Sequence, residues 1–284
     1  MNKKIIINEK QIKLLTEDVS DDTSVDTKII RAYSFDWDDN IINMPTTIKV
    51  VKNGEKIEVP TDEYANIRNN PEYTLGDDAF DNFISDDKFL SDLEEAIKTK
   101  SFAPSFDKFK EALIFANPIS IITARGHDPK TLRRAMDIVI SNTFSESELS
   151  DMLENIQERL PETVGLGAQE TLKIYLDSHD YHPVTSEIFA EKFGLKVGSA
   201  SNPEQNKKIA FRSYVEKIIN KTKEMVNTKY NKLSIGFSDD DLGNIKAIES
   251  YIEEELKHEF PNVRFTIYDT SDGGNKKIVI KQVN

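Results

Sequence analysis

The chain contains no cysteine and a single tryptophan among its 284 residues. The first absence excludes disulfides, thiolate nucleophiles and cysteine metal sites, so any metal must be held by carboxylates or imidazoles; the redox compartment stays open, with a cytoplasmic location as the default. Imidazoles are scarce too, at 4 histidines, and positive charge is in deficit: 37 basic residues against 50 acidic ones give a net charge of -13. That balance disfavours non-specific attraction to nucleic acid or to anionic membrane surfaces, although local basic patches remain compatible with it. Long apolar runs are also missing. Lys3 and Lys4 followed by Ile5 to Ile7 imitate the start of a signal peptide, but Asn8, Glu9 and Lys10 cut the run short, and no stretch reaches membrane-spanning length. There is no internal repeat or low-complexity tract. What remains is enough chain to bury a substantial core, as one large domain with insertions or as two smaller ones.

The stretch Arg31 to Pro45, RAYSFDWDDNIINMP, is the most pointed: a short run suited to a strand ends abruptly in Asp36, Asp38 and Asp39. Asp is depleted in strands and neighbouring anions repel, so the arrangement needs either the solvation of an acidic turn or a compensating cation. A hard divalent cation is the simplest candidate. Ahead of it, residues 1–17 hold apolar positions that could line one face of a strand or a short helix, and residues 18–28 form a polar, acidic linker. The N-terminal segment is expected to be either a detachable docking peptide for a protein partner or a peripheral strand of the main domain, 29–284.

Beyond Asp39, the runs Thr46 to Val51 and Lys56 to Val59 flank Asn53-Gly54, a pair that tolerates the positive φ of a type I′ turn, and predict a hairpin. From Thr61 to Ala116 the pattern is mostly helical, with Phe80, Phe83, Phe89, Leu90, Leu93, Ile97, Phe106, Phe109 and Leu113 expected to be buried. Pro118 to Ile122 reads as a second buried strand tipped by Thr123, and Asp128-Pro129 as the cap and first residue of a helix to about Ile140. Ser147 to Arg159 predicts another helix and Leu172 to Leu176 a strand ending at Asp177, while Phe189 to Val197 is ambiguous. Ser201-Asn202-Pro203-Glu204 opens a helix carrying Lys207, Lys208 and Phe211. Leu233 to Phe237 is the next buried strand and runs into Asp239, Asp240 and Asp241, the last of them suited to cap the helix from Asn244 to Lys257. Val263 to Tyr268 and Lys277 to Val283 predict the closing strands. His179 and His182 imitate half of a metal site but have no third ligand, so they are expected as loop residues.

Strands alternating with helices imply a Rossmann-like α/β architecture, a mainly parallel sheet with helices on both faces. Ligands of such sheets bind outside the carboxyl ends of the strands, where the Asp36 cluster, Thr123 and the Asp239 cluster all fall. Lys207 follows on a helix that could approach the same edge. Oxygen ligands there suit Mg²⁺, and hydroxyl and ammonium groups suit phosphoryl oxygens. Strand alternation should turn the Trp37 ring away from its acidic neighbours into the core. Arg125 and His127 follow Thr123 closely enough to touch a substrate, although a structural arginine is the commoner outcome.

Asp36-Trp37-Asp38-Asp39-Asn40-Ile41 resembles the DxDGT first motif of the haloacid-dehalogenase-like phosphohydrolase superfamily. Thr123 after Ile119 to Ile122 is similar to its second motif, Lys207 or Lys208 to its third, and Asp239-Asp240 to its acidic fourth, in the right order over roughly Arg31 to Tyr268. The resemblance implies a Mg²⁺-dependent phosphohydrolase in which Asp36 attacks phosphorus to give an aspartyl-phosphate and Asp38 protonates the leaving oxygen, then deprotonates water. Thr123 and one of the two lysines would stabilise the transferring group. Mg²⁺ would be held by Asp36, the Asp38 backbone carbonyl, Asp239 and Asp240, the last directly or through water. The implied substrate is a phosphorylated small molecule or nucleotide. Asp39 to Val59 would form a flap beside the nucleophile, and inserts at about 61–116 and 142–202 would occupy the two cap positions. Asp39 stands where the family has glycine and Asn40 where it has threonine, both residues that accept left-handed backbone angles. The likeness is greatest to phage-borne members, which implies a host cytoplasm or a virion as location. Three other functions are weighed against this reading: a phospho-receiver domain, whose phosphorylated aspartate follows its acidic pair in the chain whereas Asp36 ends the first core strand; a catalytically idle fold used for binding or as a virion component; and a polynucleotide end phosphatase, against which the net charge counts.

Overall fold

The computed structural model describes residues 29–195, 202–228 and 232–280. The N-terminal segment 1–17, the linker 18–28, Ser201 and the last strand's expected end at Val283 lie outside them. Along the chain come β1 (Ile29–Phe35), β2 (Thr47–Lys52), β3 (Glu55–Pro60), α1 (Thr61–Ile67), β4 (Tyr73–Leu75), α2 (Asp86–Lys98), α3 (Phe106–Ile114), β5 (Ile119–Thr123) and α4 (Pro129–Thr143). There follow α5 (Glu146–Arg159), α6 (Ala168–Asp177), β6 (Asp180–Pro183), α7 (Glu187–Lys192), α8 (Pro203–Thr228), β7 (Lys232–Asp239), α9 (Leu242–Tyr251), β8 (Val263–Asp269) and β9 (Lys276–Val279).

A six-stranded sheet runs in the order β6-β5-β1-β7-β8-β9, parallel throughout except for β9. This is the α/β class expected from the alternation of strands and helices, and it is compatible with a Rossmann-like fold. Alternation along β1 sends Tyr33 and Phe35 to one face and Ile30 and Ala32 to the other. The first face is covered by α2 to α6, through residues such as Phe89, Phe109, Met136, Ile156 and Tyr175. The second is covered by α7, α8 and α9, through Phe189, Phe211, Tyr214, Ile245 and Ile248. Each such large side chain contributes about 1.5–3 kcal/mol when fully buried. Trp37 joins the first core, edge-on to Phe89 at 5.6 Å, as alternation predicts. Gly236 in β7 lies under two rings: an added Cβ would stand 2.9 Å from Tyr268 and 3.0 Å from Tyr33, so the close approach needs glycine.

The hairpin forms at Asn53-Gly54, whose φ values of 52° and 84° are those of a type I′ turn. β4 pairs with the other side of β2, giving a separate three-stranded sheet. Asp128 caps α4 as expected, its side chain accepting from the Lys130 amide, with Pro129 in the first turn.

Several expectations need correction. Leu172 to Leu176 is not a strand but part of α6; Thr171, Tyr175 and Leu176 are its buried positions, a spacing of four that is helical. The strand in this region is β6, hidden in the polar sequence DYHP because it is a short edge strand, where proline at the end costs little. His182 therefore lies in a strand and His179 directly before it, both buried rather than on a loop. Phe80 is exposed, at 43 %. Phe189 belongs to α7, and the helix after Asn244 widens into a π turn, Ile252–Leu256, before a last helical turn, Lys257–Glu259. The segment 61–116 sends α2 and α3 into the main core, and 142–202 adds α5, α6, β6 and α7 to the sheet and its two faces.

Candidate functional site

From β1 the chain moves outward to β5 and β6, then returns to β7 on the opposite side of β1 and continues to β8. The two directions part between β1 and β7, and in an open α/β sheet that is where a crevice opens beyond the carboxyl ends. Phe35 pairs with Ser238, so Asp36 emerges beside Asp239, the last residue of β7. Carboxylate oxygens of Asp36, Asp239 and Asp240 lie within 4.8 Å of one another. The Lys207 ammonium, on α8, reaches between them to Asp36 Oδ1 at 2.9 Å and Asp239 Oδ2 at 2.7 Å. Asp239 Oδ1 accepts from the Asp241 amide and from Asn244 Nδ2, each at 3.0 Å. Asp241 itself caps α9, accepting from the amides of Gly243 and Asn244.

The electrostatics follow from burial. Removal from water pushes the Asp36 carboxyl well above its usual range; Lys207 pulls it back, and Asp239 and Asp240 push it further up. Burial and then the Asp239 charge hold Asp240 up at about 8. For Lys207 burial works against the charged form, but the Asp239 and Asp36 carboxylates prevail and keep it protonated far beyond its ordinary range. Among the described residues, the Lys207 ammonium thus stands against the three carboxyl groups of Asp36, Asp239 and Asp240, a cluster of hard oxygen donors. Such a donor set fits a hard divalent cation.

Asp38 is held differently. Its carboxylate accepts from Arg125, Oδ1 from Nη2 at 2.6 Å and Oδ2 from Nε at 2.8 Å. The guanidinium is fully buried, lying over Phe83 at 4.7 Å and Phe89 at 4.8 Å. Its Nη2 also donates to Thr46 Oγ1 at 2.8 Å, and Thr46 donates to Asp92 Oδ2 at 2.7 Å, with Lys88 pairing on Asp92. His127 completes the nest, Nε2 3.3 Å from Arg125 Nη1 and its ring stacked on Phe89 at 4.6 Å. Burial and the Arg125 charge lower the His127 imidazole to about 4, so at neutral pH it is uncharged and its Nε2 accepts.

Asn40 knits the strand ends together. Its Nδ2 donates to the Asp36 and Ser238 carbonyls at 3.1 and 3.2 Å, and its Oδ1 accepts from the Ser238 and Thr270 hydroxyls, both at 2.9 Å. Where the resembled motif has glycine, Asp39 adopts φ 54°, and its Oδ2 accepts from Thr61 at 2.7 Å. Thr123 ends β5, buried, with its Oγ1 accepting from the Arg125 amide at 3.3 Å.

Of the residues singled out in the sequence, Asp36, Asp239, Asp240 and Lys207 are brought together. Thr123 stands at the adjacent strand end, and Asp38 lies in the same turn as Asp36 with its carboxylate turned to Arg125. Lys208 is not in the site: one residue along the helix, its ammonium sits 5.9 Å from the Tyr251 ring. His179 and His182 join no metal-binding group among the described residues. Sequence reasoning missed the hub role of Asn40, whose partners Ser238 and Thr270 are 198 and 230 residues away, and the Thr46-Asp92 support of Arg125. Compared with family models, curated proteins and solved structures, the chain matches none of them.

Proposed function

We propose that the chain is a Mg²⁺-dependent phosphomonoester hydrolase of the haloacid-dehalogenase-like type, working through an aspartyl-phosphate on Asp36. The observation that carries this reading is the convergence of Asp36, Asp239 and Asp240 around Lys207 at the point where the strand order reverses. A carboxylate oxygen of Asp36 attacks phosphorus and the ester oxygen leaves, so one P–O bond forms as another breaks. Asp38 supplies the proton to the leaving oxygen and, in the second half, takes one from the water that hydrolyses the acyl phosphate. Arg125 orients this acid, its Nη2 and Nε donating to the two carboxylate oxygens of Asp38. Lys207, already cationic, meets the negative charge that grows on the equatorial oxygens. Mg²⁺ held by Asp36, Asp239 and Asp240 would neutralise their charge and polarise the phosphoryl group.

The test is hydrolysis of an aryl phosphate by purified protein with Mg²⁺. Turnover is expected, and Asp36→Asn should lower kcat by about four orders of magnitude or more while leaving the circular dichroism spectrum in place. A variant that keeps its rate removes Asp36 as nucleophile. A second reading, a catalytically idle binding fold, is favoured by the engagement of both Asp38 oxygens by Arg125 and by the Lys207 bridge. Folded protein that turns over no phosphate ester would establish it instead.

A further inference from the structure

A groove of about 990 Å³ opens beside the acidic cluster, with Asp39 and Asp240 among its lining residues. It also touches Asn142 and Thr143, in the last turn of α4. Because α4 starts just beyond the carboxyl end of β5 and runs for 15 residues, a groove that reaches both Asp240 and that last turn is elongated. It is far larger than a phosphate group and lies within the size range of small-molecule sites. One wall is aromatic: Phe102 and Phe106 line it, stacked nearly parallel with centroids 3.9 Å apart at 16°, and Phe102 keeps part of its ring uncovered. The charges argue against a second anionic group. Asp39, Asp107 and Asp240 line the groove against Lys100 and Lys110, and Lys110 is already taken by Glu148 and the Thr143 carbonyl.

We infer that this groove seats the leaving group of the substrate, and that this leaving group is an uncharged, elongated alcohol carrying a planar aromatic ring that packs against Phe102. The inference rests on the phosphohydrolase reading, since it is the shared Asp240 that joins the groove to the reacting centre. A sugar bisphosphate or an oligonucleotide would bring extra phosphates against Asp39 and Asp107, where like charge repels them. A monophosphate of an aromatic alcohol or of a nucleoside has one anionic end for the cluster and a neutral ring for the wall.

The experiment compares kcat/KM for 4-nitrophenyl phosphate, a nucleoside monophosphate, glycerol phosphate and a sugar bisphosphate, in wild type, Phe102→Leu and Phe102→Ala. The ring-bearing esters are expected to be preferred over glycerol phosphate, and Phe102→Leu to shrink that preference about 2- to 12-fold, the loss of one ring contact. Phe115→Leu, at an exposed ring outside the groove, should leave the ratio where it is in wild type. An unchanged ratio in both Phe102 variants, or a preference for the bisphosphate, overturns the inference while leaving the hydrolase in place. Saturation-transfer NMR of 4-nitrophenyl phosphate on Asp36→Asn protein separates the two readings. Ring contact that is present in Asp36→Asn and lost in Asp36→Asn/Phe102→Leu, with a wild type that turns over no ester, keeps the groove and removes the hydrolase; no ring contact at all removes the groove.

Discussion

At the scale of single residues, the neighbours Lys207 and Lys208 carry the sharpest contrast. Lys207 is buried between Asp36 and Asp239, whereas Lys208 leans on Tyr251 outside the site. Removing one partner of a buried ion pair leaves the others unpaired and costs about 3–5 kcal/mol. Lys207→Met is therefore expected to lose that much stability in urea unfolding at neutral pH, and Lys208→Met to stay within about 0.5 kcal/mol of wild type. Equal effects of the two would mean that the Lys207 bridge is not formed. The acidic residues were legible because carboxylates at a strand end are out of place locally. The choice between the lysines was not, since it depends on a helix rotation set by packing. Asn40 was legible only as a departure from a motif, because its four hydrogen bonds run to Asp36, Ser238 and Thr270, most of them remote in the chain.

At the scale of elements, the strands and helices with apolar periodicity were readable: β1, β5, β7 and β8, the Asn53-Gly54 hairpin, and α4 with its aspartate and proline start. The stretch α6–β6 was not, because helix and strand share one short apolar run followed by a polar edge. The observed arrangement matters for pH behaviour, since His179, between α6 and β6, is buried rather than on a loop. Neither of its ring nitrogens has a hydrogen-bond partner among the described residues, and the ring meets Tyr175 edge-on at 4.4 Å. Burial, then the charges of Lys217, Arg133 and Lys221, hold its pKa down to about 3. The unfolded chain, with a histidine near its ordinary value of about 6.5, takes up a proton that the folded state refuses. Stability that is complete above that value is thus lost as pH falls from about 6.5 towards 3. His179→Phe should remove this share: its stability relative to wild type, from urea unfolding, should improve by about 2 kcal/mol between pH 7 and pH 5. A difference that does not change with pH would show that His179 is accessible to protons in the fold.

At the scale of the whole molecule, the strand order places the ends of β1 and β7 at the reversal of the sheet, and the fold thereby concentrates carboxylates that the net charge of -13 does nothing to relieve. Coulomb repulsion within such a crevice is only partly screened by water, and Lys207 offsets part of it. A divalent cation that binds the folded state alone adds RT ln(1 + [L]/Kd), about 2.7 kcal/mol at a hundredfold excess over Kd. The most direct measurement is therefore the melting curve with and without millimolar Mg²⁺ for wild type, Asp239→Asn and Asp177→Asn. Asp177 pairs with Arg133 and Lys173 on the surface, apart from the cluster. The wild-type and Asp177→Asn melting temperatures are predicted to rise with Mg²⁺, and most of that rise to vanish in Asp239→Asn; a wild-type curve that does not move, or an Asp239→Asn curve that moves as far, would contradict a metal site at these strand ends.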